Sequence, residues 1–411
     1  MPDDAPAPIA LAFSGGLDTS FCVPYLREET GRDVVTVTVD TGGFSEAEKA
    51  EIAARSAELG AVEHRLEDAR AELWGRVLQY LVKGDVLRGG VYPLCVGPER
   101  VVQAEALAKA ARAVGASAVA HGSTGAGNDQ IRFDGALRLL AGDLEVMAPI
   151  RQLALSREAS TAFLEERGFE VEARTTEYSV NRGLWGTTIG GKETHDTDGV
   201  LPESAWPDTV APAEAPGEGR QLRIAFEGGV PVAIDGEALE PVALVEALNR
   251  EGAAHGVGRG VHVGDTILGI KGRVAFEAPA ALTLIAAHRE LSKLVMTRHQ
   301  LVQVAALGDL YGRLVHEGEF FDPVCRDVEA FLDSANGRVT GAVTVEWRQG
   351  AHRVLGATSP HSLFDAGAAR YGEDHAEWSG RDAEGFSAIH GLQSRLAARV
   401  ASADGVASPD A

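Results

Sequence analysis

Cysteine is scarce: Cys22, Cys95 and Cys325 are the three in 411 residues, far apart and without C-x-x-C spacing. That argues against a disulfide framework and a structural zinc site, and the three read as reduced thiols. Positive charge is short as well, with 38 Lys and Arg against 60 Asp and Glu and a formal net charge of -22. A protein that follows a phosphate backbone displaces counterions with Lys and Arg, so no nucleic-acid partner is expected. Nowhere do about 18 apolar residues run together, as a bilayer span requires. The opening MPDDAPAPIA is acidic where a secretory leader is basic. No membrane association is expected, and a cytoplasmic setting is the default.

What is present alternates. From residue 9 to about 170, short apolar strands (IALAF, VVTVTV, AVEHRL, SAVAHG) alternate with helical stretches, the rhythm of a parallel sheet covered by helices. Ser45 and Glu48 form an S-x-x-E capping box, with Gly60 as the stop. Pro98 suits a first helical turn, and Pro24 predicts a kink inside the first helix. Beyond SREASTAFLEERG (156–168) the alternation breaks. LPESAWPDTVAPAEAPGEGR (201–220) reads as a long surface connection, followed by hairpin patterns at 222–234 and 343–356 with one long helical pattern, about 280–317, between them. The second part is therefore expected to be α+β. A final helix at about 383–399 carries Leu392, Leu396 and Val400 at fourfold spacing, as if to dock on a partner subunit.

The stretch IALAFSGGLDTSF (9–21) ends a strand on two glycines. A parallel strand running through such a turn into a helix aims backbone N–H groups and a helix dipole at one point, which suits an anion. Gly15 and Gly16 permit close approach, and Ser14, Thr19 and Ser20 add hydroxyls. Three or four charge-assisted hydrogen bonds of roughly 1.5 to 3 kcal/mol each would hold a pyrophosphate. GTTIGGKE (186–193) imitates a Walker loop but offers Glu193 where Ser or Thr is needed for magnesium.

SGGLDTS resembles the pyrophosphate loop of the ATP pyrophosphatase superfamily, whose members cut ATP between the α and β phosphates and pass AMP to an oxygen acceptor. A second loop, STGAGNDQIRF (123–133), follows another strand, where open α/β sheets bind ligands. Its string closely resembles the second signature of the argininosuccinate synthase family. The likeness continues through APIR (148–151), YSVNRGLWG (178–186), FEGGVPVAIDG (226–236), HGVGR (255–259), GIKGR (269–273), ATSPHSLFD (357–365) and DAEGF (382–386).

The resemblance implies an adenine nucleotide alpha hydrolase-like α/β domain over 1–172, an α+β synthetase and multimerisation domain over 173–382, and a C-terminal helix and tail over 383–411. It also implies a homotetramer. ATP with magnesium is the implied nucleotide, no side chain is assigned to a metal, and no prosthetic group is needed. The implied reaction activates citrulline as an adenylate and displaces AMP with the amine of aspartate. A paralogue using another ureido or carbonyl acceptor, and a non-catalytic nucleotide-binding homologue, stay open.

Carried over by position, Ala12, Phe13, Ser14, Gly15, Gly16, Leu17, Asp18, Thr19 and Ser20 fall on ATP. So do Val39, His121, Gly122, Ser123, Gly125 and Gly127. Thr124, Asn128 and Asp129 fall on aspartate; Tyr92, Asn128, Arg132, Ser179 and Thr188 fall on the acceptor. Ser14, Asp18 and Arg132 are the catalytic candidates. The chain also departs from the family. YPLCVGPERV stands for roughly YPLGTSLARP, which puts Gly97 where a hydroxyl is expected and retains Arg100. RGVHVGDTILGIKGRVAFE stands for RIDIVENRxxGxKSRGxYE, which puts Gly264 at a Glu position, with Asp265 beside it, and Phe276 at a Tyr position. Ala126 replaces a Lys. The departures gather on the acceptor.

Overall fold

The computed structural model describes residues 6–125, 127–171, 177–364 and 378–403. Ala126, Asp365 and the expected boundary at 172/173 lie outside them. The described chain divides into two compact units, 1–361 and 362–411.

The first unit opens with a five-stranded parallel sheet in the order β3-β2-β1-β4-β5, made of β1 (Ile9–Ala12), β2 (Val34–Asp40), β3 (Glu63–Asp68), β4 (Ala118–Ala120) and β5 (Glu145–Met147). All seven residues of β2 are buried, as expected of a parallel strand covered on both faces. On one face the helices Leu17–Thr30 and Arg157–Glu165 bury Phe21, Leu26 and Leu164 against Ile9 and Leu11. The other face joins a large core that runs from Val37 and Val119 through Trp185 to Phe226 and Trp347. The β1 and β4 edges adjoin, so the loops that follow both strands leave the same edge of the sheet.

The capping box behaves as the sequence predicts: Ser45 and Glu48 cap the helix Glu46–Glu58 reciprocally. The kink expected at Pro24 does not appear as a break, and the helix Leu17–Thr30 runs through it. The long helical pattern is two helices, Pro279–Val295 and Arg298–Glu317, divided where Thr297 and Gln300 form a second capping box.

Among the described residues nine further strands follow: β6 (Ser179–Gly183), β7 (Gly186–Gly190), β8 (Arg220–Glu227), β9 (Val230–Ile234), β10 (Glu237–Ala238), β11 (Arg259–Asp265), β12 (Lys271–Glu277), β13 (Gly341–Arg348) and β14 (Ala351–Thr358). They make two sheets, β10-β9-β8-β13-β14 and β11-β12-β7-β6. The proline-rich connection is fastened rather than loose. The Thr209 hydroxyl and amide donate to the buried Glu277 carboxylate at 2.5 and 2.8 Å, and Arg259 Nε donates to the same hydroxyl at 2.6 Å. The segment GTTIG of the Walker look-alike is β7 itself.

In the second unit the terminal helix is two, Gly380–His390 and Leu392–Ala403, parted at Gly391. Glycine's entropic cost and missing side chain favour a break there.

Candidate functional site

At the end of β1 the chain turns on Gly15, whose φ of +73° and 3.1 Å clearance between a Cβ and Ile52 Cγ1 leave no good alternative to glycine. Gly16 is the extended N-cap of the helix that begins at Leu17, so the free amides of its first turn point out of the sheet edge. Thr38 Oγ1 donates to the Phe13 carbonyl at 2.7 Å and ties the loop to β2. The Ser14 and Thr19 hydroxyls lie 3.3 Å apart at the surface of the loop. The buried Ser20 hydroxyl donates inward to the Gly15 carbonyl at 3.3 Å, so it shapes the loop. Burial raises the Asp18 carboxyl above its ordinary range, against the pull of Arg157. Ala12 ends the strand, and Val39 sits in β2 with its side chain in the core.

The second loop is braced from beneath by His121. The Ser123 amide donates to His121 Nδ1 at 3.3 Å, which leaves Nε2–H to donate to Asp134 at 2.9 Å; the other oxygen of Asp134 holds Arg151 at 2.7 Å. The hydrogen bond from His121, outweighing burial, and the Arg151 charge bring the Asp134 carboxyl down to about 2. Gln130 donates to the Gly125 carbonyl and closes the loop. A Cβ at Gly122 would stand 3.0 Å from Thr19 Cγ2, so the two loops touch. Gly127 caps the helix Asn128–Leu140. Ser123 and Thr124 precede it in the loop, whose Gly125 carbonyl Gln130 holds.

From that helix Asn128 Oδ1 accepts the Ile267 amide at 2.9 Å, which anchors the tip of the β11–β12 hairpin to the loop. Asp129 is clasped by Arg100 at 3.0 Å and by Arg132 at 3.1 Å. Burial works to raise this carboxyl, but the two guanidiniums prevail and hold it at about 2. It is an ionised acceptor throughout the neutral range.

Two of the acceptor candidates, Ser179 and Thr188, lie on one face of a sheet. Directly opposed cross-strand residues share a face, and the register pairs Phe276 with Thr188, Thr188 with Asn181, Phe276 with Gly260, and Gly264 with Gly272. Ser179 lies two residues before Asn181, on the same side. His262, between Gly260 and Gly264 on β11, belongs to this face too. The Tyr92 ring packs on it, stacked on His262 at 5.5 Å between centroids and tilted against Phe276 at 5.3 Å. Gly97 lies against Arg132: a Cβ there would be 3.4 Å from the guanidinium. Ser179 is exposed, while Tyr92, Arg132 and Thr188 are buried.

Four residues beside these were not legible in the sequence. Arg132 Nε donates to the His316 carbonyl at 2.8 Å and its Nη2 lies 3.1 Å from His316 Nδ1, while Arg88 Nη1 meets His316 Nε2 at 2.5 Å. Burial and the two guanidiniums push His316 down to about 3, so it is neutral. Burial and Arg88 also lower His262. Glu99, fully enclosed, accepts from Thr41 Oγ1 at 3.0 Å; burial pushes it up to about 8, against the pull of Arg100. The one signal available was a polar residue at a position where the resemblance expects an apolar one: Glu99 for Ala and His262 for Ile.

A parallel-sheet nucleotide domain with two abutting glycine loops, continued by a sheet that faces them, is the layout of an enzyme that activates a second substrate with a nucleotide. Comparison with known proteins specifies which. Residues 8–170 match the arginosuccinate synthase N-terminal HUP domain and residues 178–397 the arginosuccinate synthase C-terminal domain. The argininosuccinate synthase of Methanopyrus kandleri is 42% identical over 395 residues, 95% of this chain and 98% of that one. That of Xanthomonas campestris is 40% identical over 405 residues, covering 95% and 98%. That of Methanocaldococcus jannaschii is 39% identical over 386 residues, covering 94% and 96%. The chain belongs to the argininosuccinate synthase family. It is a ligase, and ATP is its nucleotide substrate.

Proposed function

We propose that the chain joins citrulline to aspartate in arginine biosynthesis, at the expense of ATP cut to AMP and pyrophosphate. The ureido oxygen of citrulline attacks the α phosphorus and pyrophosphate leaves; the aspartate amine then attacks the activated ureido carbon, and AMP departs with that oxygen. The observation that carries this reading is the contact of Gly122 with Thr19. It sets the pyrophosphate loop beside the loop bearing Thr124, Asn128 and Asp129, whose helix also carries Arg132 to the acceptor face.

In this reading Ser14, Gly15, Gly16 and Thr19 hold the phosphates at the helix N-terminus, with Asp18 nearby, and the second loop closes over the nucleotide. Thr124 and loop amides face the carboxylate of aspartate, and Asp129 accepts from its ammonium. Tyr92, Arg132, Ser179 and Thr188 surround the acceptor. No covalent enzyme intermediate is required; the rate comes from alignment and from neutralising charge as it develops. The reading includes a magnesium ion carried by the phosphates. Such an ion would polarise the phosphoryl oxygens.

We further propose a cytoplasmic homotetramer with the domain division given by the sequence. Phe386, Ile389, Leu392, Leu396 and Val400 of the terminal helices are exposed apolar residues, which supports a subunit contact there. The function is tested by measuring AMP and pyrophosphate with ATP, aspartate and citrulline, each left out in turn. Formation that requires all three supports the reading, and no turnover with citrulline at saturating concentration rejects it.

A further inference from the structure

Glu99 opens the helix Glu99–Ala113 and is a buried carboxyl with no part in the chemistry above. Thr41, which follows β2, donates its hydroxyl to Glu99 Oε2 at 3.0 Å. Gly183, at the end of β6, lies so close to the other oxygen that a Cβ there would overlap it. That oxygen, Oε1, is buried without a hydrogen-bond partner. Arg100 Nη1 stands 3.6 Å from Oε2, and Arg100 Nε is likewise buried without a partner. The other charged groups nearby are engaged. Asp40 holds Lys49 at 2.5 Å and accepts from the Gly42 amide, and Asp129 holds Arg100 and Arg132. Burial keeps the neighbouring Cys95 a neutral thiol.

Arg100 therefore stands between two carboxyls. Its Nη2 donates to Asp129 Oδ2 at 3.0 Å while Arg132 donates to Oδ1 at 3.1 Å, so Asp129 is fixed by one guanidinium on each oxygen. Its Nη1 donates to Gln103 at 2.9 Å and leaves Glu99 beyond hydrogen-bond distance. A carboxylate calls for several donors, and Glu99 has the Thr41 hydroxyl. Uncharged, Glu99 makes no claim on Arg100. Ionised in this buried place it would be short of donors, and the guanidinium beside it would be drawn over and away from Asp129. Two carboxylates would then share that cation, and an added negative charge would stand near the place proposed for a dicarboxylic substrate.

We infer that Glu99 is a positioning residue for aspartate: uncharged, it leaves Arg100 to orient Asp129, and on ionising it withdraws that arginine and weakens aspartate binding. This rests on the ligase reading above, in which Asp129 accepts from the aspartate ammonium. Burial, against the pull of Arg100 and the Thr41 hydroxyl, lifts the Glu99 carboxyl to about 8. The arrangement holds below that pH and is lost above it.

The test measures pyrophosphate release by the full chain with ATP, citrulline and aspartate at about pH 7 and about pH 9, each substrate varied with the others saturating. The amine of free aspartate titrates alike for parent and variant, so comparing the two cancels it. Across this range Glu99 passes from about nine-tenths to about one-tenth protonated. The parent's kcat/KM for aspartate should therefore fall by up to about tenfold relative to Glu99→Gln, while kcat/KM for ATP shows no such difference. Thr41→Val takes a donor from the charged form and should move the midpoint of the fall to higher pH; it covers the case in which Glu99→Gln does not fold. Equal pH dependence on aspartate in the parent and in folded Glu99→Gln overturns the inference, and so does a midpoint unmoved in Thr41→Val. A loss that falls on ATP as much as on aspartate overturns it too, since it marks a structural role. Each of these leaves the ligase reading standing. No pyrophosphate at either pH overturns both.

Discussion

His121 Nε2 lies 2.9 Å from Asp134 Oδ1, thirteen residues along the chain and nearly two turns into the helix that carries Asn128, Asp129 and Arg132. Through that contact β4 and the helix are clamped on opposite sides of the loop proposed to close over the nucleotide. Asp134→Asn keeps the size but lets the amide turn its N–H toward the imidazole, and it gives up the charged contact to Arg151. Such a bond is worth roughly 1.5 to 3 kcal/mol, so kcat/KM for ATP should fall about tenfold to a hundredfold. Steady-state kinetics with ATP varied, beside a thermal unfolding curve showing the fold retained, checks it.

Gly15→Ala should separate folding from nucleotide use. The substitution strains a positive φ by roughly 1 to 3 kcal/mol, and the added methyl presses on Ile52. Ile52 lies at the rim of the core that covers β1, and the rest of that core is left in place. We expect a small loss of stability with pyrophosphate release reduced by about tenfold or more, measured by calorimetry and by initial rates.

Glu99 gives a pH signature. Its folded-state value is about 8, above the ordinary value of 4.5, so between the two the folded state holds a proton that the unfolded chain has released. Stability therefore declines as pH rises through that window, by at most about 1.4 kcal/mol per unit. Glu99→Gln removes the decline. Denaturant titrations at about pH 6 and about pH 9 should show the variant gaining on the parent at the higher pH.

Thr209→Val tests the fastening of the proline-rich connection. It removes the hydroxyl that donates to Glu277 and accepts from Arg259, leaving a buried carboxylate short of a partner. A cost of about 1 to 3 kcal/mol is expected from urea unfolding.

Much of this architecture was legible because it rests on local rules. The S-x-x-E box at Ser45 and Glu48, the glycine turn after IALAF and the alternation of strand and helix each need only a few adjacent residues. The break at Met296–Thr297 was legible in principle too, since Thr297 and Gln300 spell a cap inside an apolar periodicity that otherwise runs on. The rebuilt acceptor end was only half legible. Gly97, Gly264 and Phe276 marked it through what they lack. What fills the space comes from distant parts of the chain: Arg88 and His316 are separated by 228 residues. No spacing rule joins an arginine in a surface turn to a histidine in the last turn of a helix. Likewise, the role of Thr209 depends on Glu277, 68 residues on, and a string of prolines hides it.

The central claim, that the acceptor's ureido oxygen attacks the α phosphate before aspartate displaces AMP, is most directly tested with an oxygen-isotope label in that ureido oxygen. With ATP, aspartate and the labelled acceptor, the account predicts one labelled oxygen in the phosphate of AMP and none in pyrophosphate. AMP that forms without the label, drawing its new oxygen from water or from aspartate, would contradict it.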